Sequence, residues 1–301
     1  MANDGETKHE IISLLEPGHT GCAGCGQSLA ARLVMEAAGQ RVILTNATGC
    51  LEVFTTQYPR SAWEVPFIHS LFENSSAVAA GIEVALRAMG RWGEAKIIAQ
   101  GGDGGTADIG IGCLSGAWER GHDFLYICYD NEGYMNTGFQ RSGLTQYAAR
   151  TTTTPPGELS WGNPTHKKNI PMIAVDHGCP YVATASVGYP RDLMRKVKKA
   201  MSVEGPTYLQ INVPCVPGWG YESRLTMKMA RLAVETALYP VFEYENGELA
   251  KVRKVKEPKS LEDFLRPQKR FAHLFKEGGE PQLAALQQIA DDNAARYHIF
   301  D

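Results

Sequence analysis

The sequence has no surplus of basic residues. Its 301 residues include 30 lysines and arginines against 33 aspartates and glutamates, which gives a formal net charge of -3. Affinity for a nucleic-acid backbone depends on accumulated positive charge, so this balance argues against a general nucleic-acid binder. Hydrophobic residues at 44% and charged residues at 21% are ordinary for a soluble globular protein, and they favour that broad class.

Long apolar runs are missing as well. No stretch approaches the ~18 uninterrupted apolar residues that a membrane span needs, so we expect no membrane insertion. The first ten residues are polar and include three acidic side chains, and they lack the patterns of a secretory signal or a transit peptide. We therefore expect a cytoplasmic protein without a disulfide framework, because that compartment is reducing.

Seven cysteines are present, and they fall into two groups. Cys22 and Cys25 form a Cys-x-x-Cys pair in a glycine-rich turn, where two thiolates can lie close together as a metal or iron-sulfur ligand pair requires. Cys50 and Cys215 each stand alone. Zinc sites with four cysteines usually combine two Cys-x-x-Cys units, so this spacing favours an iron-sulfur cluster over structural zinc. Three others lie in apolar or glycine-rich runs and are interpreted as small hydrophobes: Cys113, Cys128 and Cys179.

Strand-like and helix-like patterns alternate up to about residue 215. This alternation predicts an α/β fold with a doubly wound, mainly parallel sheet and crossover helices. Buried strands are predicted at four segments rich in β-branched and aromatic residues: 41–46, 96–100, 124–129 and 207–213. Helices are predicted between them, at 28–38, 75–89, 109–120 and 190–202.

The pattern changes in the last part of the chain. The Asn246-Gly247 pair between two strand-like runs predicts a hairpin with a type I′ turn, and polar helices are predicted from Ser260 and from Pro281. We therefore expect an N-terminal arm (1–16), a main domain (17–240) and a C-terminal hairpin and helical extension (241–301). With no convincing catalytic group, the extension is predicted to dock onto a partner.

Two segments stand out for packing or length. The predicted helix from residue 75 carries small residues at Ala77, Ala80 and Gly81, which indicates close packing against an internal neighbour or another subunit. Residues 138–170 contain few apolar side chains and several threonines, prolines and glycines. A stretch of this length without regular structure is usually functional or disordered.

Glycines and oxygen-bearing side chains follow two of the predicted strands. Gly101 and Gly102 come directly after the strand at 96–100, where their bare backbones can approach a phosphate at a helix N-terminus. Asp103 and Asn131 follow neighbouring strands, and with the carbonyl of Gly133 they could bind one Mg²⁺ beside a diphosphate. Singly, the aspartate could cap a helix and the asparagine could occupy a turn. Their combination with the strand context favours the metal site.

These motifs occur in unbroken order between about residues 17 and 240: 19–26 (HTGCAGCG), 46–50 (NATGC), 102–110 (GDGGTADIG), 130–138 (DNEGYMNTG) and 213–215 (VPC). Together they closely resemble the β subunit of 2-oxoacid:ferredoxin oxidoreductases, the pyruvate:ferredoxin oxidoreductase (pyruvate synthase) family. The resemblance is weaker in the C-terminal extension.

The resemblance implies a domain that binds thiamine diphosphate, Mg²⁺ and the 4Fe-4S cluster nearest the cofactor. The cluster ligands it implies are Cys22, Cys25, Cys50 and Cys215, and the Mg²⁺ ligands are Asp103, Asn131 and the carbonyl of Gly133. Asn136 and Thr137 match the pair that faces the thiazolium ring and the substrate. The remaining expected cofactor contacts are Gly49, Cys50, Gly102, Gly104 and Tyr134.

The implied reaction is oxidative decarboxylation of a 2-oxo acid to acyl-CoA and CO2, with coenzyme A as co-substrate and ferredoxin as electron acceptor. Pyruvate is the leading substrate, and aryl or branched-chain 2-oxo acids stay open. The resemblance implies that the activating glutamate and a substrate-binding arginine lie on another subunit. The local candidates Glu52, Glu73 and Glu132 suit capping or ion pairing at least as well as this role. The chain lacks the cysteine run of a two-cluster ferredoxin, so a ferredoxin-like subunit is expected to carry electrons onward.

Two other classes of protein share parts of this pattern. A cluster-free thiamine decarboxylase or synthase would keep the Asp103 and Asn131 site while its cysteines stayed structural. A zinc-stabilised scaffold subunit would keep the fold without catalysis.

Overall fold

The computed structural model describes residues 13–300, so most of the predicted arm 1–16 lies outside the described residues. Eight strands occur in this range: β1 (Val42–Asn46), β2 (Phe67–His69), β3 (Lys96–Gly102), β4 (Leu125–Asp130), β5 (Tyr181–Ser186), β6 (Thr207–Asn212), β7 (Phe242–Glu245) and β8 (Glu248–Val252).

Eleven α-helices occur in the same described range: α1 (Gly26–Ala38), α2 (Cys50–Thr55), α3 (Ser75–Ala88), α4 (Asp103–Ala107), α5 (Ile111–Glu119), α6 (Ile170–Asp176), α7 (Pro190–Ser202), α8 (Val216–Trp219), α9 (Thr226–Glu235), α10 (Leu261–Leu265) and α11 (Glu280–Tyr297). Two 3-10 helices accompany them, at Ser223–Leu225 and Lys269–Phe275. None of the described helices is long and apolar enough to cross a membrane.

All eight strands form a single sheet in the order β2-β1-β3-β4-β6-β5-β7-β8. The pairs from β2 to β5 are parallel, and β7 and β8 are antiparallel. Neighbouring strand residues point to opposite faces of a sheet. Ile98 and Ile127 accordingly join a core with α1 and α7, whereas Ile97 and Tyr126 join a second core with α3 and α5. The predicted doubly wound, mainly parallel α/β fold is thus confirmed.

The C-terminal extension continues this sheet. Strands β7 and β8 form the predicted hairpin, and Asn246 and Gly247 have φ of 49° and 87°, as a type I′ turn requires. The two predicted helices are present as α10, which Ser260 caps, and α11. Phe264, Phe271 and Leu286 of the extension pack in one cluster with α9. Much of its apolar surface is therefore used within the chain, and docking onto a partner stays a prediction.

The sequence analysis missed several elements that the structure contains, among them β5, α4 and α6. Strand β5 is fully buried but rich in alanine, serine and threonine, so it lacks the strong apolar run of its neighbours. The helix predicted at 109–120 is preceded by a separate short helix, α4, that starts directly after β3. Helix α6 lies at the end of the long polar segment. Residues 138–169 contain no helix or strand in the structure, as predicted.

Candidate cofactor and cluster site

The candidate site lies where the carboxyl ends of four central strands meet, at one edge of the sheet. β1, β3, β4 and β6 lie side by side in parallel, so their carboxyl ends meet at this edge. The segments that follow these four strands carry Cys50, Asp103, Asn131 and Cys215. Ligands commonly bind at the carboxyl ends of strands in open α/β sheets. The topology therefore gathers residues that are up to 165 positions apart.

Three oxygen atoms converge between the ends of β3 and β4. The side-chain oxygen of Asn131 lies 2.8 Å from a carboxylate oxygen of Asp103 and 2.9 Å from the carbonyl oxygen of Gly133. In one amide orientation the Asn131 nitrogen donates hydrogen bonds to both oxygens, and in the other the Asn131 oxygen faces them as a third acceptor that a cation could bind. Oxygens that share an octahedral Mg²⁺ shell, with bonds of ~2.0–2.1 Å, lie roughly 2.9 Å apart. The spacing thus fits a cation held by these three residues.

The environment of Asp103 also fits a cation. Its side chain is buried, and the Ser142 hydroxyl donates a hydrogen bond to it from the long loop. Burial, followed by the neighbouring carboxylate of Asp130, raises the pKa of Asp103 well above its usual range. A divalent cation would reverse this effect, because it favours the charged carboxylate. The aspartate makes no side-chain cap for α4, so the capping alternative is not realised.

A cavity of about 190 Å³ opens beside the oxygen cluster. Its lining includes every residue predicted to contact the cofactor or take part in catalysis: Gly49, Cys50, Gly102, Asp103, Gly104, Asn131, Gly133, Tyr134, Asn136 and Thr137. No atom lies within 4 Å of where a Cβ on Gly102 would point, so this backbone is free to approach a ligand. At Gly104 a Cβ would lie 2.3 Å from the Tyr134 ring, so only glycine fits there.

The four predicted cluster cysteines line a second cavity, of about 300 Å³. Cys25 precedes α1 and accepts a hydrogen bond from the backbone N–H of Ser28 at 3.4 Å, while Cys50 opens α2 and Cys215 precedes α8. In the described residues no three His, Cys, Asp or Glu side chains surround a single metal-ion position. The thiols are instead distributed around a cavity, as ligands of a multi-atom cluster would be.

Burial raises the pKa of three of these thiols, those of Cys25, Cys50 and Cys215. It raises the pKa of Cys50 to about 12, with the neighbouring thiols of Cys25 and Cys22 adding to the effect. Burial likewise raises the pKa of Cys215 to about 12. Iron bound by thiolates would supply the compensating positive charge and release these protons. Cys128 and Cys179 lie away from this cavity in the hydrophobic core around α5.

The two cavities share one wall. The residues that line both are Gln27, Cys50, Asn131, Met135 and Asn136. Cys50 thus borders both the cavity lined by the four cysteines, here called the cluster cavity, and the cavity beside Asp103, here called the cofactor cavity. Groups bound in the two cavities would lie next to each other. Gln27 and Met135 were not identified from the sequence, because the spacing of glutamine and methionine residues does not indicate a metal or cofactor site.

A buried ion-pair network supports the loop that carries Asn131. Lys167 lies 3.0 Å from carboxylate oxygens of both Asp130 and Glu132, and Arg270 lies 2.6 Å from the other oxygen of Glu132. Although burial alone would raise it, Lys167 and Arg270 together hold the pKa of Glu132 below its usual value. Arg270 belongs to the C-terminal extension. The C-terminal extension therefore stabilises the loop that carries Asn131, a predicted Mg²⁺ ligand.

The network also reaches the cysteine segment. The Arg270 guanidinium stacks 3.8 Å from the ring centroid of Trp219, which lies in α8 just after Cys215. The indole N–H of Trp219 donates to the backbone carbonyl of Asn131 at 2.8 Å. Sequence reasoning missed this arginine because it lies 138 residues from its partner Glu132.

We expect Arg270→Met to destabilise the protein by about 3–5 kcal/mol, because it leaves the buried carboxylate of Glu132 with half of its pairing. Thermal unfolding of the purified protein measures the loss. The double variant Arg270→Met/Glu132→Gln removes both charges and should recover part of the stability. Equal unfolding midpoints for wild type and the single variant would contradict a structural role for this ion pair.

None of the three local glutamates considered for cofactor activation lines the cofactor cavity. Glu132 is committed to its two cations. Glu52 accepts a hydrogen bond from the Thr56 hydroxyl at 3.2 Å and lies 3.9 Å from His69. The chain by itself thus presents no carboxylate of this set towards the cavity where the cofactor is expected.

Comparison with known proteins agrees with this architecture. A family model described as "Thiamine pyrophosphate enzyme, C-terminal TPP binding domain" matches residues 47–211. A chain of the 2-oxoglutarate:ferredoxin oxidoreductase from Magnetococcus marinus, solved with 2-oxoglutarate, coenzyme A and succinyl-CoA, aligns with a TM-score of 0.56 and 24% identity. The alignment covers 71% of this chain and 77% of that chain, and it shows a shared fold. The matched model defines the class as thiamine pyrophosphate enzymes.

Curated relatives narrow the class. Pyruvate synthase subunit PorB of Methanosarcina barkeri is 56% identical over 283 residues, which cover 94% of this chain and 96% of the relative. PorB of Pyrococcus furiosus is 46% identical, with 86% of each chain covered. Ketoisovalerate oxidoreductase subunit VorB of Pyrococcus abyssi is 48% identical, again with 86% of each covered. This chain belongs to the family of β subunits of 2-oxoacid:ferredoxin oxidoreductases and is an enzyme subunit.

Proposed function

We propose that this β subunit holds thiamine diphosphate, Mg²⁺ and a 4Fe-4S cluster, and that its enzyme oxidatively decarboxylates pyruvate to an acyl-CoA and CO2. The observation that carries the proposal is the shared wall between the two cavities. A cofactor in one cavity and a cluster in the other would lie on either side of Cys50 and Asn136. Electrons could then leave the reaction centre without crossing solvent.

Each residue at the site has a role in this proposal. Asp103, Asn131 and the Gly133 carbonyl would hold Mg²⁺ against the diphosphate, and the open backbone at Gly102 would let the phosphates approach. Thiamine diphosphate supplies the nucleophilic carbon and the electron sink that decarboxylation needs. Asn136 would orient the substrate from the shared wall. The hydroxyl of Thr137 donates to the side-chain oxygen of Gln140 at 2.5 Å, which fixes its position.

Pyruvate is proposed because the PorB relatives are named pyruvate synthase subunits. The VorB relatives are named for ketoisovalerate and are nearly as similar, so a branched-chain 2-oxo acid is the second candidate. Coenzyme A as co-substrate is supported by its presence in the related 2-oxoglutarate enzyme. Ferredoxin is the proposed electron acceptor, reached through a ferredoxin-like subunit.

A partner subunit would complete the site. Asn136 and Thr137 are exposed in the isolated chain although they face the proposed reaction centre. Apolar side chains on or beside α3 are also exposed: Leu71, Val84, Met89 and Ile109 at 55%, 55%, 58% and 51%. Phe72, next to the first of these, lines the cofactor cavity. We propose that the subunit carrying the activating glutamate covers this surface.

The small residues of helix α3 lie on two sides of the helix, one buried and one exposed. Ala80 is buried against the sheet, so one side packs within the chain. Ala77 and Gly81 are exposed, and no atom lies within 4 Å of where a Cβ on Gly81 would point. The internal neighbour therefore accounts for the buried side of the helix, and we propose the subunit contact for its exposed side.

Serine variants of the cysteines test the cluster. Cys22→Ser, Cys25→Ser, Cys50→Ser or Cys215→Ser should lower the iron and sulfide content of the anaerobically purified complex and abolish reduction of a viologen dye, because each thiolate supplies one iron bond. Cys128→Ser and Cys179→Ser are matched controls and should keep full iron content. Full iron content in the Cys215 variant would remove that residue from the site. Bound zinc in place of iron would favour the scaffold alternative.

A further inference from the structure

Gln27 occupies an unusual position at the candidate site. It is the second residue of α1, directly after the Cys25-Gly26 turn, and it is only 3% exposed. Within the described residues its side-chain oxygen has no hydrogen-bond partner. Buried amide oxygens are normally paired, because an unpaired acceptor loses its bond to water without compensation. A partner for this oxygen is thus to be sought in a bound molecule.

The position of Gln27 between the two cavities indicates which bound molecule this is. Gln27 is one of the five residues that line both the cluster cavity and the cofactor cavity. Asn46 and Asn212 also have buried side-chain atoms without partners, yet neither lines either cavity. Gln27 therefore combines an unpaired buried acceptor with direct access to the place where the cofactor and the cluster would meet.

We propose that Gln27 accepts a hydrogen bond from an N–H or O–H group of the bound cofactor or substrate, and thereby orients the reacting end of the cofactor against the cluster cavity. This inference rests on the proposed function. The donor can come from two sources, an amino group of thiamine diphosphate or a hydroxyl or N–H group that appears only with substrate. Binding of the cofactor alone and kinetics with substrate distinguish them.

The test uses three variants of the complete complex. Gln27→Met keeps the length of the side chain and removes its acceptor oxygen, whereas Gln27→Glu keeps an acceptor at the same place. Gln146→Met is the matched control, because Gln146 is also 3% exposed but lines a different cavity with His166 and Asn169. The measurements are iron content, calorimetric binding of thiamine diphosphate with excess Mg²⁺ to the cofactor-stripped complex, and KM and kcat for pyruvate.

If the cofactor is the donor, Gln27→Met should weaken thiamine diphosphate binding by about 5- to 10-fold, with iron content unchanged. If the donor appears with substrate, cofactor binding should stay normal while KM rises or kcat falls by a similar factor. In either case Gln27→Glu should lie closer to wild type, and Gln146→Met should match wild type.

The inference is overturned if Gln27→Met shows normal cofactor binding and kinetics, or if Gln146→Met is equally impaired. It is also overturned if Gln27→Met and Gln27→Glu both lose iron or fail to assemble, since the residue would then be structural. A wild-type complex that binds no thiamine diphosphate would overturn the proposed function and this inference with it. Normal wild-type binding with an unaffected Gln27→Met variant overturns this inference alone.

Discussion

Asp103→Ala is expected to strip the enzyme of thiamine diphosphate at micromolar Mg²⁺ while leaving its iron content near normal. Asp103 is the one charged side chain among the three proposed Mg²⁺ ligands, and its neighbours Asn131 and Gly133 would contribute neutral oxygens. Loss of an outer-shell partner already costs a metal site ~10- to 100-fold in affinity, so loss of the charged ligand should raise the Mg²⁺ requirement by at least ~100-fold. Cofactor retained after desalting, measured at graded Mg²⁺, gives the result.

Asp123→Ala is the matched control for this experiment. Asp123 is also buried and carries a carboxylate, but it precedes β4 at the opposite edge of the sheet and pairs with Lys96 at 3.5 Å. This variant should lose some stability and keep its cofactor. Cofactor bound equally well by Asp103→Ala and wild type at micromolar Mg²⁺ would mean that the diphosphate is held elsewhere.

Most of the candidate site could be anticipated from the sequence because parallel strands impose a simple rule. Four of its five motifs directly follow a strand, the exception being the motif at 19–26, which leads into α1. The carboxyl ends of neighbouring parallel strands meet. Asp103 and Asn131 could therefore be brought together by recognising strands at 96–100 and 124–129, without knowing any loop geometry. The assignment of Cys215 depended on the family resemblance, because a lone cysteine at the end of a strand could also be a buried thiol.

The supporting residues could not be found in this way. Ser142 and Lys167 reach the site from the long polar loop, whose path is set by its own hydrogen bonds and not by a periodic pattern. Arg270 comes from a short 3-10 helix in the C-terminal extension, where sequence gives no sign that a charged side chain is buried. Charged residues are usually exposed unless they are paired. The burial of such a residue can therefore be recognised only when its ion-pair partner is known.

Strand β5 illustrates a limit of pattern recognition for the fold. Its sequence, YVATAS, has small residues where a buried strand usually has large apolar ones, yet all six of its residues are buried. It lies between β6 and β7, and thus joins the parallel part of the sheet to the C-terminal hairpin. Without this strand the sequence could not show that the extension continues the main sheet.

The open side of the cofactor cavity implies an incomplete active site. Asn136 and Thr137 are exposed there, and the chain turns none of Glu52, Glu73 or Glu132 towards the cavity. Thiamine chemistry needs a carboxylate that activates the aminopyrimidine ring, and the family resemblance places that group on another subunit. A stable contact of this kind would bury more than ~2,000 Å².

We therefore expect the isolated chain, reconstituted with iron, sulfide, thiamine diphosphate and Mg²⁺, to show no measurable decarboxylation and no reduction of a viologen dye. Co-expression with the other subunits should restore both activities, with pyruvate preferred in a panel of 2-oxo acids assayed with coenzyme A. Val84→Arg, on the exposed apolar side of α3, should weaken assembly while the chain itself stays folded, because it places a charge in the proposed contact. Steady turnover by the isolated chain would contradict the shared active site and would return Glu52, Glu73 and Glu132 to consideration as the activating group.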